Sequence, residues 1–548
     1  MAKDAKGLFV RPASGLVREV SMSKATFYSL ACTMGTLPAL TIAYVVSYPQ
    51  VLWGGIPLFS WVVALAAIPA ACMMLCLSIL TQAMPRSGGD YVYTSRITIP
   101  YFGFIEGWML ILAIGAVFGF NGWATTFGLG MWFKTGMVLF PGWLDIGQTL
   151  NSLNWMIGLG IVMFVLLTAL ALTPSRRYHL IFSILSAVAL ISIALQLVAL
   201  SGTSATGFAS NFEKFTGMTQ HNVLDQASGM GWDPNWIDFG GIIAVMGYTL
   251  FAYTGASFST YMAGELKGNI QKNVIVAMLT TVAACVFTAF YFLPFTNVAG
   301  YQFSNAWAFL FWNGANTTPM QVPPSTTLVA AIANPGLAPL VLFAGFFLLV
   351  VFNFTALSGF AYAGVRVIFA QSMDRLYPMR LASVNQRTHQ PVLATVAIMI
   401  VGFIYYMAQI IGYSPFAGLW YLAATAVAGY LFFPAVNCIL LKWRRQDVFD
   451  LAPTWSKKNF LGLPVMAWLG IVWLAYLVPV FAMANLWVPI HEMLQMESSV
   501  LLNYSFSTGL VLVGVGLVFG TLYYFARKYM LSKQGIDLNM IFRAIPPE

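Results

Sequence analysis

Charge is what this chain of 548 residues has least of: Asp, Glu, Lys and Arg make up only 8% of it, and histidine occurs four times. Soluble globular chains carry about 25% charged and about 45–50% apolar residues, so a composition 59% hydrophobic excludes an ordinary cytosolic enzyme. A disordered chain is excluded by the same contrast. Cysteine is scarce as well. Its five copies, Cys32, Cys72, Cys76, Cys285 and Cys438, stand inside apolar runs, where a thiol behaves as a small hydrophobe. Neither a disulfide framework nor a cysteine-held metal is expected. The histidines (His179, His221, His389, His491) fall at the ends of apolar stretches or between them, which argues against a histidine relay, a metal site or a membrane metalloprotease. No cofactor is expected. The formal charge of +9 comes from 26 basic residues strewn through a chain of mean hydropathy +0.78, without the continuous basic face that nucleic acid would need.

What the chain does have is apolar length. About 20 such residues cross the hydrocarbon core of a membrane, and on that measure twelve spans begin near Thr26, Pro57, Tyr101, Trp155, Tyr178, Asp238, Val274, Gly336, Val392, Phe416, Leu463 and Thr508. Aromatic residues at 15%, with 17 tryptophans, suit interfacial anchoring among membrane lipid. The first run continues to about Tyr48, longer than the ~7–15 residues of a signal-peptide core, and is expected to stay in the mature protein. Of the 26 Lys and Arg, 24 fall on alternate inter-span segments, beginning with Lys3, Lys6, Arg11, Arg18 and Lys24 and ending with Arg527, Lys528, Lys533 and Arg543. The opposite side receives only Lys134 and Lys214. Because a missed span would swap every later segment, this split supports twelve crossings of a cell membrane with both termini cytoplasmic. Two long external segments, roughly 202–237 and 299–335, are rich in Asn, Thr, Gly and Pro and read as lids or caps.

Ionisable groups inside a membrane cost about 2.5–3.5 kcal/mol on insertion scales, so each is a candidate for function. Glu106, about six residues into span three, is the carboxylate clearly inside, suited either to proton coupling or to partial solvation near the inner interface. Broken helices are the other source of polar groups. Span one carries Met34-Gly35-Thr36-Leu37-Pro38-Ala39 near its middle, where Pro38 lacks an N–H and crowds the preceding turn. Span six carries Phe251-Ala252-Tyr253-Thr254-Gly255 at a comparable depth. Taken singly, each reads as a kink. Five spans apart and running in opposite directions, the two together suggest an inverted repeat of five plus five helices and a central site between them.

Three motifs then follow in order: PRSGGDYVYTSR at Pro85 to Arg96, FAYTGASFSTYMAGELKGNIQKNV at Phe251 to Val274, and GVRVIFAQSMDRLYP at Gly364 to Pro378, with Pro391 at the head of span nine. From about residue 20 to 440 the chain resembles the amino acid–polyamine–organocation permeases. The resemblance implies a LeuT-type 5+5 inverted repeat followed by two C-terminal helices. Substrate would meet the freed N–H groups of Gly35, Thr36 and Leu37 with its carboxylate, and the carbonyls of Phe251, Ala252 and Thr254 with its ammonium, beside Tyr253 and Gly255. Phe251 would close over the site and Phe360 would line the side-chain pocket. Departures from the family pattern are Leu37 and Pro38 in span one, Ser257 where many relatives have a glutamate, and the lack of a lysine in span five. Coupling is therefore open between a proton at Glu106 and sodium at Thr355 and Ser358. In the motifs, Gly88 and Gly89 should permit a tight turn into a short interfacial helix, and Glu265 with Lys267 should tie the end of span six to neighbouring loops. Arg366 is expected to snorkel to the interface.

The expected organisation is an all-α membrane protein: a cytoplasmic tail (1–25), a transport core (26–443, with repeats of about 26–201 and 238–443), a loop with helices eleven and twelve (444–526), and a second tail (527–548). The expected function is secondary active transport of amino acids or related organic amines by alternating access, in its proton-symport form, with an ion-independent exchanger or sodium symporter as alternatives. A channel would need a ring of polar pore residues, whereas the spans offer Glu106 and amides such as Asn121 and Asn353. An enzyme would need a nucleophile with its base.

Overall fold

Apolar runs of 18 residues or more, with polar breaks between them, leave the backbone one economical solution in a membrane, which is to satisfy its own hydrogen bonds as helix. The chain follows it in a computed structural model that describes residues 16–34, 52–53, 56–233, 246, 249–250, 252–290, 292–315, 317, 319–412, 419–483 and 505–542. Among the described residues nine helical stretches are long and apolar enough to cross a membrane. They are Ser60–Ala83, Pro100–Val138, Leu153–Ala171, Ser175–Ser201, Ile270–Ala299, Pro335–Met373, Val392–Ile411, Val465–Ala482 and Val511–Lys533, and they coincide with expected spans two to five, seven to nine, eleven and twelve. Expected spans one, six and ten run partly across undescribed residues. Span one is described as the helix Met22–Met34, span six from its break as the 3-10 segment Gly255–Glu265, and span ten as the helix Leu419–Arg444.

Span three organises the bundle. Its helix, Pro100–Thr135, starts with proline at a position whose N–H would be unpaired anyway, and its 36 residues extend roughly 54 Å at 1.5 Å per residue. Of its most apolar stretch 78% is buried, against 17% for span twelve, because spans eight, nine, ten and twelve all pack against it. Span one packs against spans five, six, seven and eight. The outward faces carry bare aliphatic and aromatic side chains, such as Leu65, Ile68, Val165, Val198, Ile404 and Phe519, as a surface in contact with lipid tails requires.

The segments read as lids are mostly helical: Ala205–Thr216, Gln220–Gly229, Tyr301–Trp312 and Thr326–Ala333. Their starts follow from local sequence. Ser204, Thr219 and Ser325 each accept the backbone N–H three residues on, and Thr219 with Asn222 forms a reciprocal capping box. These helices enclose a second core containing Phe208, Phe212, Phe303 and Trp307, separate from the main core of the spans. This end of the molecule is called the cap end below; the opposite end, where the three sequence motifs meet, is the motif end.

Candidate functional site

The described part of the span-one helix lies against the span-six break at backbone distance. A Cβ on Gly255 would stand 2.4 Å from Thr33 Oγ1 and 2.7 Å from the Cys32 carbonyl carbon, so no residue but glycine fits there. On the other side of span one, a Cβ on Gly359 of span eight would meet Cys32 Sγ at 2.2 Å, and Tyr28 donates a 2.7 Å hydrogen bond to the Gly359 carbonyl. Span one is thus gripped between glycines of spans six and eight.

Several expected site residues gather here. Ala252, Tyr253, Thr254 and Gly255 are buried, with Tyr253 donating to the Val63 carbonyl of span two and Thr254 to the Leu250 carbonyl. The Thr254 carbonyl accepts from Ser257 Oγ at 2.7 Å. Phe360 is 2% exposed and packs edge-on against Phe258 at 4.6 Å. Thr355 and Ser358 are fully buried; Thr355 bonds back to the Phe352 carbonyl, while Tyr178 of span five holds the Ser358 carbonyl at 2.9 Å. Gly35, Thr36, Leu37 and Phe251 lie outside the described residues. Further along, span eight widens into a π-helical turn at Phe347–Val351, a feature frequent at functional sites. Asn353 donates to the Leu349 carbonyl of that turn at 3.0 Å, and a Cβ on Gly128 of span three would stand 2.4 Å from the same oxygen.

The motif end departs from expectation. Arg366 does not snorkel. It is buried, with Nε 2.7 Å from Glu265 Oε1 and Nη2 donating to the Tyr362 hydroxyl and to Gln390 Oε1. Glu265 Oε2 also accepts from Tyr362 at 2.6 Å and from Ser175 at 3.1 Å. The guanidinium stays inside because these partners replace the water it would otherwise seek. Lys267 takes part through its main chain: Val20 N–H donates to the Glu265 carbonyl and Lys267 N–H to the Val20 carbonyl, each at 2.9 Å. The amino-terminal segment is joined to the span-six exit by this parallel bridge.

Gly88 and Gly89 do make the tight turn, at φ of 103° and 51°, and the helix Asp90–Ile97 follows. All eight of its residues are buried against the spans. The glycines are needed twice over, since a Cβ on Gly89 would touch the Tyr261 ring at 2.8 Å and one on Gly88 would meet Ala370 at 2.5 Å. From the short helix Arg96 reaches Asp374 of the third motif at 2.9 Å, an acid that also accepts from Tyr91. Asp90 accepts from Tyr261 at 2.9 Å. Burial pushes the Asp90 carboxyl up to about 7, although the Tyr261 hydrogen bond works against the shift. Glu106 is 1% exposed; among the described residues neither of its oxygens is held by a close hydrogen bond, and the Thr94 hydroxyl stands beside it.

The sequence points to one interior carboxylate, whereas among the described residues the structure buries four: Asp90, Glu106, Glu265 and Asp374. The other three sit at span ends, one in each of the three motifs, and the single acid among basic residues in each motif is the signal the sequence offers. The three motifs converge on a single buried ionic layer that clasps spans six and eight.

These features define a polytopic helical membrane protein with glycine-mediated packing around a helix break and a closed ionic layer at one end. The family model described as "Amino acid permease" matches residues 25–533, and the chain belongs to the amino acid permease family. It is accordingly a membrane transporter and not an enzyme. No curated protein matches the chain.

Proposed function

We propose that the protein carries an amino acid or related organic amine by alternating access, with the substrate held between the breaks of spans one and six in a LeuT-type arrangement of twelve spans. The observation that carries this reading is the close packing of Gly255 on Cys32 and Thr33, which brings the described parts of the two broken spans together. Substrate would be received by Gly35, Thr36 and Leu37 on one side and by Phe251, Ala252 and Thr254 on the other, with Tyr253, Gly255 and Phe360 completing the walls. The positive-inside bias supports placing the motif end and both termini in the cytoplasm, which makes the Glu265–Arg366 layer a closed inner gate. Proton symport is the favoured coupling, because Glu106 puts a buried carboxylate inside span three, and ionisable groups at such positions mark proton pathways. Thr355 and Ser358 are the positions for sodium in the alternative reading, and ion-independent exchange is the third.

A thermal-shift screen of the twenty amino acids and common amines on purified protein tests the substrate class. A ligand at 100 times its dissociation constant stabilises by about 2.7 kcal/mol, and no shift with any of them would remove the reading. Phe251→Ala should weaken binding of whichever ligand scores, since an aromatic lid both shields and stacks on an ammonium; unchanged affinity takes Phe251 out of the site. For the coupling, Glu106→Gln in proteoliposomes should leave substrate exchange detectable and abolish accumulation driven by an inward proton gradient. Full accumulation by the variant transfers the search to sodium or to exchange.

A further inference from the structure

Spans four and nine touch closely at one level and leave open space below it. A Cβ on Gly160 of span four would stand 2.1 Å from the Tyr406 ring of span nine, and the Tyr406 hydroxyl donates to the Met156 carbonyl of span four. From that level toward the motif end, Phe164, Thr168 and Leu172 of span four and Phe403, Met399 and Val396 of span nine line a cavity of about 730 Å³. Phe164 and Phe403 meet edge-on at 5.4 Å, and the buried Phe164 and Met399 form the floor. Val165, Ile400 and Ile404 on the rims are each more than half exposed, so the cavity is a groove open to the surrounding lipid. The stretch from Ile161 to Leu172 gives it a length of roughly 16 Å at 1.5 Å per residue.

Its lining narrows the choice of occupant. The Thr168 hydroxyl is turned onto the Phe164 carbonyl of its own helix at 2.7 Å, and the other side chains of the lining are aliphatic, aromatic or methionine. A sterol hydroxyl or a polar side chain would find no partner there. A helix of a second copy would need small residues at the contact for the backbones to approach, and the floor is bulky. A flexible acyl chain follows such a floor. The groove's end at the motif end is basic: Arg176 and Arg177 come four and five residues after Leu172, which keeps Arg176 within about 14 Å of it along the chain, and Arg387 stands five residues before Val392. All three arginines are exposed, and none is paired with a carboxylate among the described residues. Lys24 brings a further cation, its Nζ donating to the Arg176 carbonyl at 3.3 Å.

We propose that this groove seats one acyl chain of an anionic phospholipid from the leaflet at the motif end, with the headgroup received by Arg176, Arg177 and Lys24 and with Arg387 on the opposite wall. An apolar tail gains little by exchanging bulk lipid for an apolar groove, so selectivity rests on the charge at its mouth, where an anionic headgroup is attracted and a zwitterionic one is not. The headgroup lies on the turn whose neighbouring residues hold the closed layer, Ser175 on Glu265 and Tyr178 on the Ser358 carbonyl. Bound lipid therefore steadies that turn.

The test is native mass spectrometry of the full-length protein in detergent, with phosphatidylglycerol, phosphatidylcholine and cholesterol as probes. Phosphatidylglycerol should be retained over phosphatidylcholine by at least about fivefold, and should raise the Tm, while the double variant Arg176→Gln with Arg177→Gln should lose both effects. Ala169→Trp fills the groove and leaves the arginines in place, and it should abolish lipid retention; if it does not fold, Ile400→Trp does the same from the other rim. Equal retention of the two phospholipids overturns the proposal, as does a preference that survives the filled groove, which would put the lipid on surface charge alone. Cholesterol retained in place of phospholipid, or a dimer that the filled groove splits, assigns the groove to a sterol or to a second copy and overturns it as well.

Discussion

At the motif end the contacts that join distant segments are ionic and fully buried, with Arg366 on Glu265 and Arg96 on Asp374. At the cap end they are aromatic and amide. Phe212, Phe303 and Trp307 meet ring to ring, Trp232 Nε1 donates to Asn305, and Gln196 of span five donates to Thr327 and accepts from Thr326. Among the described residues, the ion pair at the cap end, His221 with Asp225, is exposed. The difference bears on how each end can move. Buried charge has two favourable environments, its partner or water, so an ionic layer switches between states with little in between. Aromatic packing yields gradually, losing contact in proportion to the area exposed.

The sharpest way to break this comparison is to remove one charge. Arg366→Ala leaves Glu265 buried and alone and should cost about 3–5 kcal/mol, read as lost folded yield and a lowered Tm in detergent. The double variant Arg366→Met with Glu265→Leu should recover most of that stability while locking the motif end. If it restores transport as well, the pair has no gating role. Next in size is Gly255→Ala. Its methyl has no space against Thr33, and overpacking of this kind costs about 1–3 kcal/mol. Transport should fall further than stability, because the clash lies between two spans that must rearrange; equal losses by uptake and by melting would contradict this.

A smaller effect concerns pH. Asp90 binds its proton more tightly folded than unfolded, so its contribution to stability is complete below about pH 4 and is lost as the pH rises through about 7. Melting at pH 5 and pH 8 should differ by a few degrees, the higher Tm at pH 5, and Asp90→Asn should flatten that slope. The smallest change is expected at the cap. Gln196→Met removes the two bonds to Thr326 and Thr327 and should cost about 1–2 kcal/mol with coupling intact. A Gln196→Met variant that lost proton-driven accumulation would show that the two ends are not separate devices.

How much of this could be read in advance follows from the range of each interaction. Apolar runs report their own burial, so the spans other than one, six and ten are described where their hydrophobic lengths place them. The Gly88-Gly89 turn is equally local. Arg366 was misjudged because the cost of burying a guanidinium depends on an acid 101 residues away, and no periodicity near Arg366 announces Glu265. Arg96 and Asp374 are 278 residues apart and illustrate the same limit. The cap helices fall between these cases. Their starts are set locally by Ser204, Thr219 and Ser325, but the general polarity of residues 202–237 and 299–335 concealed both the helices and the core that the aromatics within them form.

The bridge between Val20 and Leu266 is made of main chain alone. Any amino acid but proline supplies its N–H and carbonyl, so these two hydrogen bonds outlast most replacements at Val20, while the buried Val20 and Leu266 side chains add packing of their own. Val20→Pro removes the donor to Glu265 and is the substitution that would expose the attachment. Mechanically, the bridge is a tether whose hydrogen bonds are indifferent to its spelling.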